Sequence, residues 1–196
     1  MTITTIIWDF AGVIADSRMW PRVAELLAKR YGVEPKEVSE ACYGDEEGIM
    51  HGRESLLVFW ARTIRPLGIS YADLLWAMTH WYSLDEFLLG FIESLDDYTH
   101  VILSDSFPGL ADSIRRERRL ANLFDAMFFS NELHLTKLRD GEEIFTHVLE
   151  TLDADPQECI FIDDKQHNLP APKSMGITTI LHESTPKTLA AIRKAL

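Results

Sequence analysis

Cysteine, positive charge and long apolar runs are all scarce in this chain. Its 196 residues hold two cysteines, Cys42 and Cys159. That excludes a disulfide framework and fits two ordinary thiols in a reducing compartment. Lys and Arg number 19 against 31 Asp and Glu, for a net charge of −12. A field of that sign repels a phosphate backbone, so nucleic acid is not an expected partner. No apolar run approaches the roughly 20 residues that span a bilayer. The first such stretch, from Ile3, stops at Asp9 with no basic segment ahead of it, unlike a secretory signal. No membrane partner is expected, and the context reads as cytoplasmic. A small anionic substrate is compatible with this composition, provided a local cation or metal offsets the acidic field.

Apolar residues make up 46% and charged residues 26%, ordinary for a globular core. Five short runs rich in β-branched and aromatic residues read as strands: Thr4–Trp8, Thr99–Leu103, Ala126–Phe129, Cys159–Ile162 and Thr178–Leu181. Helical patterns lie between the later ones. Pro108–Leu120 ends in the basic run "RRERR", favourable to a helix dipole. Glu142–Leu152 puts Ile144, Phe145, Val148, Leu149 and Leu152 on one stripe. Asn168–Met175 is short and closed by Gly176. Strands alternating with helices predict an α/β, Rossmann-like fold, a parallel five-stranded sheet flanked by helices on both faces. Ligands bind such sheets beyond the carboxyl ends of the strands. Four of the five runs lead there into Asp or Ser: Asp9, Ser104-Asp105, Ser130 and Asp163-Asp164.

Residues 16–95 carry no strand signal. Helices are expected at Pro21–Tyr31, at Pro35–Tyr43 closed by Gly44, at Glu54–Arg65, from the Ser70/Asp73 capping box to Trp81, and along the stripe Leu84, Phe87, Leu88, Phe91, Ile92 and Leu95. That is too long for an ordinary crossover. It predicts a core of residues 1–15 and 96–196, with residues 16–95 as a small all-helical cap inserted after the first strand. Trp60, Trp76, Trp81 and Tyr82 crowd this cap. Such residues read first as helix–helix core, and otherwise as a pocket wall or a dimer contact. Monomer and homodimer both fit.

The segments "IIWDFAGVI", "VILSDS", "FFSNELHLTKL", "IFTHVLETL" and "ECIFIDDKQHNLPAPKSMGITTI" together resemble, in order, the motifs of haloacid dehalogenase (HAD) superfamily hydrolases with a small helical cap. The resemblance implies that Asp9 is a nucleophile. A strand-tip carboxylate beside a metal can attack phosphorus and form an aspartyl-phosphate. It implies that the Ser104 hydroxyl bonds the transferring phosphoryl group and that Lys137 offsets charge there. "LRDGEEIF" is about two residues longer than the family spacing, and counting back from Phe145 points to Arg139. Lys137 is preferred because "SNELHLTK" is in step. Asp163 and Asp164 would hold Mg²⁺, since adjacent carboxylates repel and need a cation, and oxygen ligands favour Mg²⁺ over a soft metal. Asp9 and the backbone carbonyl of Ala11 would complete the set, with Asp164 the direct ligand and Asp163 acting through water. Asp105, where the family often has Asn, and His51, in the cap turn "MHGRESLLVFW", are expected to face the substrate. A small phosphorylated metabolite, with a sugar phosphate the first candidate, is the expected substrate.

Ala11 departs from the pattern. Most family phosphatases place a second aspartate there as general acid, a role worth about 10²–10⁴-fold. Three readings follow. The chain is a phosphatase whose leaving group needs little protonation or whose proton comes from elsewhere, with His51 a candidate. Or its chemistry differs. Phosphonate-cleaving relatives carry Asp-x-Ala-Gly, like "DFAG", but need a cap lysine, and this cap offers only Lys29 and Lys36. Haloacid dehalogenases carry tyrosine at the alanine position and do not use the acidic pair. Or the fold is a catalytically silent binder, against which Asp9, Ser104, Lys137, Asp163 and Asp164 all speak.

Overall fold

A computed structural model describes residues 2–16, 19–43 and 47–196. Gly44, expected to close the second cap helix, lies outside the described residues. Five strands, β1 (Thr5–Trp8), β2 (Thr99–Ser104), β3 (Ala126–Phe129), β4 (Cys159–Asp163) and β5 (Thr178–Leu181), form one sheet in the order β3-β2-β1-β4-β5. Every pairing is parallel. The chain enters at the middle strand, builds outward through β2 and β3, then crosses back to lay β4 and β5 on the other side. That reversal falls between β1 and β4, where an open parallel sheet leaves a crevice at its carboxyl edge. Thr5 pairs with both Thr99 and Cys159, and Trp8 with both Ile102 and Ile162. Asp9 and Asp163 therefore emerge side by side.

The period of two divides β1 between two cores. Ile6 and Trp8 face a cluster that includes Ile102, Ile160 and Ile162. Ile7 faces a second cluster with Val101, Leu103, Phe128 and Phe161. Helix α10 (Gly141–Leu152) covers that second face with the expected stripe Ile144, Phe145, Val148 and Leu149. Phe145 meets Phe161 edge to face at 4.7 Å, a favoured aromatic geometry.

Helices α1 (Met19–Tyr31), α2 (Pro35–Cys42), α3 (Glu47–Met50), α4 (Leu56–Thr63), α5 (Tyr71–His80) and α6 (Glu86–Glu93) lie between β1 and β2. Their buried residues, among them Trp20, Leu27, Phe59, Leu74 and Ile92, belong to the same apolar cluster as Ile6 and Trp8. The Ser70 cap forms as expected, its Oγ accepting the Asp73 N–H at 3.1 Å. The aromatics of this helical region are largely packing groups. Trp60 donates to the Ile69 carbonyl at 2.8 Å, Trp81 is buried, and Tyr82 meets Phe10 at 5.2 Å. Trp76 alone of these four is well exposed, stacked on His80. Cys42 and Cys159 are buried thiols.

Pro108–Leu120 was expected to be one helix and is two: α7 (Leu110–Arg116) and α8 (Arg118–Leu123). Glu117 breaks it by taking an extended conformation, and its carboxylate caps the Arg119 N–H. Helix α9 (Ser130–Leu133) follows β3, α11 (Pro170–Ser174) precedes β5, and α12 (Thr185–Ala195) packs Leu189 and Ile192 onto the first core. Among the described residues no helix is long and apolar enough to cross a membrane.

Candidate active site

The end of β1 delivers Asp9 into the crevice. Its N–H donates to the Ile162 carbonyl at 2.9 Å, which carries the β1–β4 pairing one step further, and its side chain is buried. The loop beyond turns at Gly12, whose φ is +98°. A Cβ on Gly12 would sit 2.3 Å from Asp164 Oδ2. Only glycine leaves room for that carboxylate and takes that backbone conformation without strain.

Lys137 ties the site together. Its ammonium lies 2.6 Å from Asp9 Oδ1 and 2.7 Å from Asp163 Oδ2, with all three side chains buried. Asp163 is further held by Asn168 Nδ2, which donates to Oδ2 at 3.0 Å, and by the Lys165 N–H, which donates to Oδ1 at 2.7 Å. Asp164 differs from its neighbour, because its Oδ1 is buried with no hydrogen-bond partner. One oxygen from each of Asp9, Asp163 and Asp164 lies within 4.8 Å of the others. An unsatisfied buried carboxylate oxygen beside two more hard donors is the environment a divalent cation completes, so these residues fit such an ion.

Charge and burial compete here. Burial pushes Asp9 up to about 7, and Asp163 adds to the rise while Lys137 and Lys165 oppose it. Burial also works on Asp163, but the Lys137 charge and the bonds from Lys137, Asn168 and Lys165 hold its carboxyl below the usual range. Burial alone would lower Lys137, yet Asp9, Asp163 and Asp105 outweigh it and hold the ammonium above its usual range. Burial raises Asp164, as does Asp163. A cation among these carboxylates would favour their ionised forms.

Ser104, at the end of β2, is buried with its hydroxyl 3.3 Å from the Asp105 carbonyl. Asp105 is half-buried, and its Oδ1 accepts the Lys137 backbone N–H at 3.1 Å. Lys137, and not Arg139, contacts Asp9 and Asp163; Arg139 is exposed and pairs with Glu47 at 2.6 Å. His51 is buried with Nδ1 3.1 Å from the His134 carbonyl oxygen and Nε2 3.4 Å from Asp140 Oδ2. Both nitrogens thus face atoms of the 134–140 loop, with Thr136 Oγ1 also 3.4 Å from Nε2. Of the expected residues, Asp9, Lys137, Asp163 and Asp164 converge, and Ser104 stands at the end of the adjoining strand. Ala11 presents a methyl group where an acid was sought. Two surface clefts of about 520 and 560 Å³ are lined by none of these residues.

Asn168, Thr136 and Asp140 were not singled out in the sequence. Asn168 opens a stretch read as a short helix, and only its placement five residues after Asp163 hints at a return contact. Thr136 and Asp140 bracket Lys137 and bond to each other, the Thr136 N–H donating to Asp140 Oδ2 at 2.9 Å.

Residues 3–176 match the family described as haloacid dehalogenase-like hydrolase. Bifunctional epoxide hydrolase 2 of Rattus norvegicus is 35% identical over 75 residues, 38% of this chain and 13% of that protein. The chain therefore matches only a small part of that relative. Among solved structures, a HAD family enzyme from Bacteroides thetaiotaomicron superposes with a TM-score of 0.76 at 19% identity, over 96% of this chain and 99% of that one. The same enzyme has been solved in complex with magnesium and inorganic phosphate. A HAD-like family hydrolase from Porphyromonas gingivalis gives 0.76 at 21% identity over 98% and 99%. L-2-haloacid dehalogenase from Xanthobacter autotrophicus, with chloropropionic acid covalently bound, gives 0.69 at 17% identity over 97% and 83%. At these identities the likeness is one of fold.

Proposed function

This chain belongs to the haloacid dehalogenase-like hydrolase family, and on that premise we propose that it is a Mg²⁺-dependent phosphatase acting on a small phosphorylated metabolite through an aspartyl-phosphate at Asp9. The observation that carries the reading is the three-carboxylate cluster of Asp9, Asp163 and Asp164 locked to the buried Lys137 ammonium. Asp9, Asp164 and the Ala11 carbonyl would hold the metal directly. Asp163, already saturated by Lys137, Asn168 and the Lys165 N–H, would act through water. When bound, Mg²⁺ supplies positive charge for the phosphoryl oxygens; the magnesium and phosphate complex of the Bacteroides thetaiotaomicron enzyme is in keeping with that.

Lys137 holds Asp9 Oδ1, so Oδ2 is the oxygen that attacks phosphorus. The Ser104 hydroxyl donates to a phosphoryl oxygen as charge grows there, and the Lys137 ammonium balances charge on the nucleophile. The leaving oxygen departs with the bonding pair. Ala11 offers it no proton, so the site suits leaving groups of low basicity, such as acyl phosphates, phenolic phosphates or an anomeric sugar phosphate. Water then attacks the phosphorus of the aspartyl-phosphate, returning the Asp9 carboxylate and inorganic phosphate. A Schiff-base route has little support: Lys29 is exposed on α1, and Lys36 is exposed and pairs with Glu40.

The test is phosphate release from a panel of phosphomonoesters and acyl phosphates, with Mg²⁺ and with chelator. Activity that needs Mg²⁺, rises steeply as leaving-group basicity falls, and drops more than about a thousandfold in Asp9→Asn is the expected result. Turnover that persists in the chelator or in Asp9→Asn would refute the reading.

A further inference from the structure

Helix α3 runs into Met50–Gly52, a stretch bonded through both backbone and side chains to the loop that carries Lys137. The contact between the two histidines is reciprocal. His51 Nδ1 lies 3.1 Å from the His134 carbonyl oxygen, and His134 Nδ1 lies 2.9 Å from the His51 carbonyl oxygen. Each carbonyl can only accept, so both rings carry a proton on Nδ1. Nε2 of His51 then faces Thr136 Oγ1 and Asp140 Oδ2, each at 3.4 Å. Asp140 Oδ2 accepts the Thr136 N–H at 2.9 Å. His134 sits at φ +59°, a conformation uncommon outside glycine, and these bonds hold it there.

The junction is close-packed around this pair. Ser130 Oγ donates to the Met50 carbonyl at 2.7 Å. Gly52 has φ +66°, and a Cβ on it would lie 2.2 Å from the Asn131 carbonyl oxygen. Lys137 follows Thr136 directly, and its ammonium makes carboxylate contacts of 2.6 and 2.7 Å beside a bond to the Leu103 carbonyl at 3.4 Å. A shift of about 1 Å in such a group is enough to cost two orders of magnitude in rate.

We propose that His51 is a positioning residue: it clasps residues 134–140 to the end of α3 and so sets the aim of the Lys137 ammonium on Asp9 and Asp163. His51 Nδ1 is bonded to the His134 carbonyl and Nε2 faces Thr136, so its influence passes through that loop. The catalytic consequence rests on the phosphatase reading.

Amide hydrogen exchange and kinetics on the full chain test this together. His51→Ala is expected to speed exchange across residues 134–140 by about tenfold, with β1 and β4 unchanged. On whichever panel substrate the wild type turns over, kcat falls about 10- to 100-fold while KM stays within about threefold. His51→Asn keeps a donor in reach of the His134 carbonyl and restores most of both. Thr136→Val, which deletes one hydroxyl facing Nε2, gives the same exchange signature on a smaller scale and keeps the test open if the alanine variant does not fold. Unchanged exchange at 134–140, an Asn variant no better than Ala, or a raised KM with kcat intact would each overturn the proposal. A wild type silent on the whole panel counts against the phosphatase reading alone, because exchange is read without substrate.

Discussion

At Lys137 one ammonium stands between two buried carboxylates, and its removal shows what the arrangement is worth. Lys137→Met leaves the buried Asp9 and Asp163 carboxylates without their cation. Stability without Mg²⁺ falls by about 3–5 kcal/mol, read as a lowered denaturant midpoint at constant slope. His100 supplies a pH-dependent counterpart beneath the sheet. Its Nδ1 accepts Trp8 Nε1–H at 3.2 Å, and its Nε2–H donates to the Leu95 carbonyl at 2.9 Å. The bond from Trp8 needs an unprotonated Nδ1, and burial lowers the ring's pKa below the ordinary 6.5. The unfolded chain takes up a proton at a pH where the folded one refuses it. The contribution is therefore full above the unfolded value and is lost as pH falls through the folded one. Denaturant melts at pH 7.5 and about 5.5 check this: the wild type loses more stability on acidification than His100→Gln, which keeps a donor and an acceptor but does not titrate there. Equal losses would remove His100 from the account.

The loop between β1 and α1 is the element on which metal and nucleophile both depend. Gly12→Ala imposes a positive φ on a residue with a Cβ and drives that Cβ into the Asp164 carboxylate. It is expected to destabilise the fold by about 1–3 kcal/mol and to weaken Mg²⁺ affinity by more, measured by calorimetric titration. Native affinity in that variant would mean Asp164 is not a ligand. Much at this scale is legible from sequence. Ala126–Phe129 and Thr178–Leu181 are strands with the bounds their β-branched and aromatic runs suggest, and the aspartates after β1 and β4 meet because the sheet is parallel and in register. Other elements leave no periodic trace. Helices α3 and α9 are four residues each, too short for an amphipathic stripe, and the α7–α8 break comes from one side chain turning to cap a new helix. The roles of His51 and Asp105 were hidden for a different reason. Type and position marked them as substrate contacts, but their partners, His134, Asp140 and Lys137, are set by loop geometry that no local pattern encodes. Ala11 was legible at once as an absence.

Across the whole molecule, folding and metal binding are linked through the carboxylate cluster. A cation that binds only the folded state adds about 2.7 kcal/mol at a hundred times its Kd, roughly 5–10 °C in the melting temperature of a chain this size. Mg²⁺ is expected to raise the thermal midpoint by that amount and Na⁺ is not. Asp164→Asn removes the rise. A net charge of −12 also predicts that general screening helps the fold, so Mg²⁺ must be compared with a salt of equal ionic strength. The covalent step is the centre of the account, and its most direct measurement is mass spectrometry of acid-quenched single turnovers on the best panel substrate. The account predicts a phosphoryl group on the peptide that contains Asp9, absent in Asp9→Asn and without Mg²⁺. Phosphate released with that peptide unmodified at every quench time would contradict it.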